Sequence, residues 1–94
     1  MKIKIDGLNI DDKRDFYQAI GDQIDLPEYF GANLDALYDV ISESYPDLTV
    51  EFIHYKELED HLGSRFLRRL KRMLEDAGAS ILSDEEDKEE SEEI

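Results

Sequence analysis

Residues 48 to 54 read Leu-Thr-Val-Glu-Phe-Ile-His, the strongest strand candidate in the chain. Leu48, Val50, Phe52 and His54 fall on one side, and Thr49, Glu51 and Ile53 on the other. Apolar groups on both sides predict a central strand covered on both faces, which is the habit of parallel sheets. A central strand needs neighbours, and the chain offers two. Lys2 to Asp6 (KIKID) puts Ile3 and Ile5 on one face, and Ala79 to Ser83 (ASILS) is long enough for an edge strand.

Between these strands the apolar spacing turns helical. Asp12 is placed as an N-cap, and Asp15 three residues on completes an approximate capping box. Phe16, Ile20 and Ile24 then recur every fourth residue, predicting about three turns in spite of Gly21. Leu26-Pro27 stops that helix, because the residue before proline is pushed out of the helical region. Glu28 to Ala32 reads as a connecting loop in which Gly31 supplies backbone freedom. Asn33 caps a second helix with Leu34, Leu37, Val40 and Ile41 inward, ended by Tyr45-Pro46-Asp47.

After the central strand, Tyr55 to Leu62 reads as a short helix with Leu58 and Leu62 inward. Gly63-Ser64 breaks it. Phe66, Leu67, Leu70, Met73, Leu74 and Ala77 trace a longer helical stripe, and Gly78 is a natural C-terminal cap. The order β-α-α-β-α-α-β predicts an α/β domain over residues 1–83: a small three-stranded parallel sheet packed with about four helices.

Charge is unevenly distributed. The net of −14 divides into −10 over residues 1–64, +3 over 65–83 and −7 over 84–94. The last segment holds eight acids and one lysine, too little to bury and too much like charge to compact, and is expected to be a disordered acidic tail. Arg65, Arg68, Arg69, Lys71 and Arg72 form the basic cluster, expected as the solvated outer side of the last helix. Between Arg14 and Lys56 there are nine carboxylates and no lysine or arginine. Such a surface repels a polyphosphate and attracts a basic protein, so nucleic acid is not an expected partner. Without cysteine the chain has no disulfide framework, which fits a reducing cytoplasm. No segment nears the roughly 20 apolar residues needed to cross a bilayer, so neither a membrane partner nor export is expected.

The centre of the acidic stretch is Leu26 to Asp39, LPEYFGANLDALYD. At about 100° per residue, Tyr38, Ser42, Asp35 and Asp39 lie between about 40° and 140° from Leu34, flanking or opposite the inner stripe. Asp35 and Asp39 are one turn apart and can enter a single cationic cleft. An enzyme would need a nucleophile, a base or a metal cluster. No EF-hand loop and no His-Cys ligand set is visible, His54 reads as a strand-end packing or hydrogen-bonding residue, and His61 as exposed. No catalytic residue, cofactor or metal is expected.

The same fourteen residues, with the strands and helices around them, resemble the barstar family, intracellular inhibitors of a secreted, guanyl-preferring bacterial ribonuclease. The likeness runs more weakly from KIKIDG through LTVEF and the last helix to about Ser83. It implies a barstar-like fold and a monomer that binds one small basic ribonuclease. It also implies that Tyr29, Gly31, Asn33, Leu34, Asp35, Tyr38, Asp39 and Ser42 sit where the family contacts its enzyme. Asp39 would take the place of an RNA phosphate, and Asp35 would meet a neighbouring basic or backbone donor group. Tyr38, Phe30 and Ser44 stand where barstar has tryptophan, tyrosine and tryptophan, and Arg72 falls near an acidic contact of the family. An acidic adaptor or nucleic-acid mimic that binds some other basic protein is the alternative.

Overall fold

The computed structural model describes residues 1–84; the rest of the expected acidic tail, and any contact it makes with the basic helix, lies outside the described residues. Strands β1 (Lys2–Asp6), β2 (Thr49–Ile53) and β3 (Ser80–Ser83) alternate with helices α1 (Lys13–Gly21), α2 (Leu34–Ser44), α3 (Tyr55–Leu62) and α4 (Ser64–Asp76). The strands form one parallel sheet in the order β1-β2-β3. β2 is central, as its composition predicts. Ile3 pairs with Val50, Ile5 with Phe52 and Val50 with Ile81, so the apolar side chains share one face.

The expected cover on both faces is corrected. Ile3, Ile5, Val50 and Phe52 are buried, whereas Lys2, Lys4, Thr49, Glu51, Ile53 and Leu82 on the other face are not. Lys2 Nζ lies 3.5 Å from Glu51 Oε1 across that open face. Ile53 and Leu82, the two large apolar side chains among lysines, a threonine and a glutamate, offer too little apolar area to hold a second layer.

The core on the covered face joins all four helices. Phe16 of α1 meets its neighbour Tyr17, and Phe66 of α4, edge to face, with centroids 5.0 and 5.7 Å away. Full burial of side chains of this size contributes about 1.5–3 kcal/mol each. Asp12 caps α1 by accepting from the Asp15 backbone N–H at 2.9 Å, and Asp15 reaches back to the N–H of Asp11 at 3.0 Å. α1 ends at Gly21, earlier than the spacing of Phe16, Ile20 and Ile24 predicts, although Ile24 still donates to the Ile20 carbonyl and is buried. Gln23, two residues beyond the end of the helix, serves a neighbouring strand. Its side-chain amide accepts from Lys4 N–H and donates to the Lys4 carbonyl, both at 2.8 Å. That pair closes part of the outer edge of β1, where open backbone groups would invite another strand.

The C-terminal edge of the sheet is tied by a polar cluster. β1 passes into a 3-10 turn, Gly7–Asn9, pressed against the start of α3. A Cβ on Gly7 would collide with the His54 carbonyl oxygen and lie 2.6 Å from the Leu58 nitrogen, so only glycine fits. His54 turns between β2 and α3 with a left-handed φ of 54°, and its Nδ1 lies 2.8 Å from Asp6 Oδ1. Asp6 is held below the ordinary carboxylate value first by the Leu8 N–H and then by His54; the hydrogen bond to Asp6 in turn raises His54. His54 gives α3 no side-chain cap. Asp84 does so from the end of β3, accepting from the N–H groups of His54 and Tyr55 at 2.8 and 3.1 Å. His54 is therefore the hydrogen-bonding strand-end residue expected, and exposed His61 donates to the Ile10 carbonyl at 2.7 Å.

Candidate partner-binding site

Asn33 accepts from the Ala36 N–H at 2.8 Å and so sets the first turn of α2. Leu37 and Ile41 anchor the helix from below, fully buried, with Leu34 and Val40 half-buried beside them. This arrangement fixes the opposite face. Tyr38, Asp35 and Asp39 are exposed there, and Ser42 is half-buried, with its hydroxyl donating to the Asp39 carbonyl at 3.3 Å. Among the described residues no hydrogen bond or ion pair reaches the carboxylate of Asp35 or Asp39. Asp35 lies in the first turn, where its charge favours the helix dipole. Asp39, a turn further on, has no such structural use.

The loop before α2 is held by an inward ring. Phe30 packs edge to face on Tyr17, with centroids 5.9 Å apart, and its N–H donates to the Pro27 carbonyl at 3.0 Å. Its neighbour Tyr29 is turned out and 89% exposed, against 38% for Tyr38. The left-handed residue of the loop is Ala32, at φ 50°, and not Gly31, where sequence places the backbone freedom. At Gly31 the constraint is one of space: a Cβ there would come 3.1 Å from Asn33 Nδ2, which donates to the Gly31 carbonyl at 3.3 Å, so the cap side chain would have to shift by a few tenths of an ångström.

Loop 28–33 and the outer face of α2 thus carry seven of the eight residues singled out in the sequence, and the eighth, Leu34, sits half-buried at the edge of that face, packed against the core. Exposed Tyr29 on the loop, with Tyr38 and the unpartnered carboxylates on a well-packed helix, make a surface of the kind that suits a protein partner. Charges expected on the solvated outer side of the last helix lie beside this face, among them Arg72, which the resemblance puts near an acidic contact of the family. Arg69 and Arg72 of α4 line a groove with Asp35 and Tyr38, and Lys13, Arg14 and Arg69 line a hollow on the other side of Asp35. Their helical spacing is legible, but their nearness to α2 follows from α2 and α4 packing side by side. Among the described residues, no group of three or more His, Cys, Asp or Glu could hold a metal ion, and no helix is long and apolar enough to cross a membrane.

The architecture is that of a small α/β domain with a three-stranded parallel sheet and four helices. A family model described as "Barstar (barnase inhibitor)" matches residues 1–92, and the chain belongs to the barstar family. Family members are non-catalytic inhibitors, and this chain is not an enzyme. A Bacillus subtilis (strain 168) protein named "Putative ribonuclease inhibitor YrdF" is 39% identical over 41 residues, 44% of this chain and 45% of that protein. The match therefore spans under half the length of that relative. Family membership supports a ribonuclease-inhibitor-like role.

Proposed function

We propose that this protein binds one small basic bacterial ribonuclease of the exported type and occludes its active site, protecting the cytoplasm in which both are made. Loop 28–33 and the outer face of α2 enter the cleft, and Asp39 takes the place of an RNA phosphate. An RNA-cleaving site holds phosphate with cationic side chains. A carboxylate on a rigid helix satisfies the same groups by charge-assisted hydrogen bonds, with bidentate geometry where the cation is arginine. Asp35, one turn before, meets a second donor at the rim, while Tyr29 and Tyr38 exclude water around the ion pairs.

The observation that carries this proposal is the pair of unpartnered carboxylates on the exposed side of α2 in a chain of the barstar family. The test is RNA cleavage by a panel of small basic bacterial ribonucleases, barnase among them, titrated with this protein. Stoichiometric loss of cleavage at one to one is expected for at least one enzyme, and weaker inhibition as salt rises, mainly through slower association. Full activity of every enzyme at saturating protein would refute it.

A further inference from the structure

The face of α2 does not end at α2. Its Tyr38 edge descends into a groove of about 360 Å³ whose far wall is α4. Asp35 and Tyr38 stand on one wall, Arg69, Arg72, Met73 and Asp76 on the other. Arg69 and Arg72 are exposed, three residues apart, and neither has a carboxylate within 4 Å among the described residues. Side chains at that spacing are neighbours on a helix, and both line this one groove. Arg69 also borders the hollow on the other side of Asp35. The surface that meets a partner through Asp35 and Tyr38 therefore offers it two cations as well as two anions.

This matters for what can dock. An enzyme rim that was basic throughout would bring its cations beside Arg69 and Arg72, within about one Debye length, as water is excluded and screening falls. A nucleic-acid phosphate is disfavoured by Asp35 and Asp76 in the same groove and by the net charge of −14. A lone carboxylate beside a cationic cleft fits both walls, since paired guanidiniums match carboxylate geometry. We propose that the α2/α4 groove is part of the partner-binding surface, and that Arg69 and Arg72 receive a carboxylate from the rim of the ribonuclease's basic cleft. The proposal rests on α2 being the inhibitory face and adds a determinant of which enzyme is accepted.

The test compares full-length wild type with Arg69→Glu/Arg72→Glu against whichever ribonuclease of the panel the wild type inhibits most tightly. Arg65→Glu/Arg68→Glu is the control, with the same change of net charge on residues that do not line the groove. The groove variant is expected to lose at least about tenfold in inhibition, while the control holds or tightens because a more acidic protein attracts a basic enzyme more strongly. Far-UV circular dichroism and thermal unfolding check that both variants remain folded. Changing the matching carboxylate of the enzyme to lysine is expected to restore binding of the groove variant. Inhibition by the groove variant that equals or exceeds that of wild type overturns the proposal and leaves the role of α2 intact. Failure of the wild type to inhibit any enzyme, or an Asp39→Ala protein as potent as wild type, removes the α2 reading and this inference with it.

Discussion

Two acidic clusters on this molecule have opposite fates. Asp6 and Asp84, at the C-terminal edge of the sheet, spend their oxygens on the fold: Asp6 on Leu8 and His54, Asp84 on two backbone N–H groups at the start of α3. Asp35 and Asp39 on α2 spend none of their side-chain oxygens on any described residue. Both clusters are solvent-accessible and neither includes a buried charge, so burial does not separate them. Hydrogen bonding does. A carboxylate with partners stabilises its own chain, whereas one without them keeps its hydrogen-bonding capacity for another molecule.

The largest effect expected of that contrast is on binding. Asp39→Ala should cost at least about 2 kcal/mol against the inhibited ribonuclease, near thirtyfold in Kd, with unfolding unchanged. A loss below about 1 kcal/mol in an inhibition titration would place Asp39 among the bystanders. Next comes Gly7→Ala. Its Cβ has no room against His54 and Leu58, and overpacking there should destabilise by about 2 kcal/mol in a urea melt. Inhibition by the fraction that remains folded should match wild type. Asp84→Ala removes the cap of α3 and should cost about 1 kcal/mol of stability, again without altering inhibition at saturating protein. Impaired inhibition by fully folded Asp84→Ala would break the division between the clusters.

The smallest effect is one of pH. The depressed Asp6 contributes stability above its ordinary value of 3.8, which is lost as pH falls through its lower folded value. His54, raised above 6.5, contributes fully below 6.5, and its contribution is lost as pH rises through the folded value. The pair is therefore complete between about pH 3.8 and 6.5. A proton NMR titration should place the His54 midpoint above 6.5, and Asp6→Asn should move it back down. An unmoved midpoint in Asp6→Asn would mean that the Asp6 carboxylate does not hold the imidazole charged.

Much of this structure is legible residue by residue. β1 and α3 lie where alternation and helical spacing put them, and Asp12 and Asn33 cap as their positions predict. The eight candidate contact residues could be chosen because the loop and helix that carry them are local, and because their pattern resembles that of a family. Other features could not be read this way. Gln23 looks like a polar residue late in α1 until β1 comes beside it, and Asp84 looks like the first residue of a tail until it meets the start of α3. Leu48–His54 was readable as a central strand, but not as one with a single covered face, because the pairing that sets Lys2 beside Thr49 and Lys4 beside Glu51 is made 47 residues apart.

By itself the sequence determined the order of the elements, the caps of α1 and α2 and the acidic face of α2, since each depends on side chains within a turn or two of one another. Tertiary structure alone decided which charges share a surface. Arg69 and Arg72 lie some thirty residues from Asp35 and Tyr38, and no periodicity spans that gap. Only the packing of α4 against α2 brings guanidiniums beside the carboxylates, because charge acts through space and not along the chain.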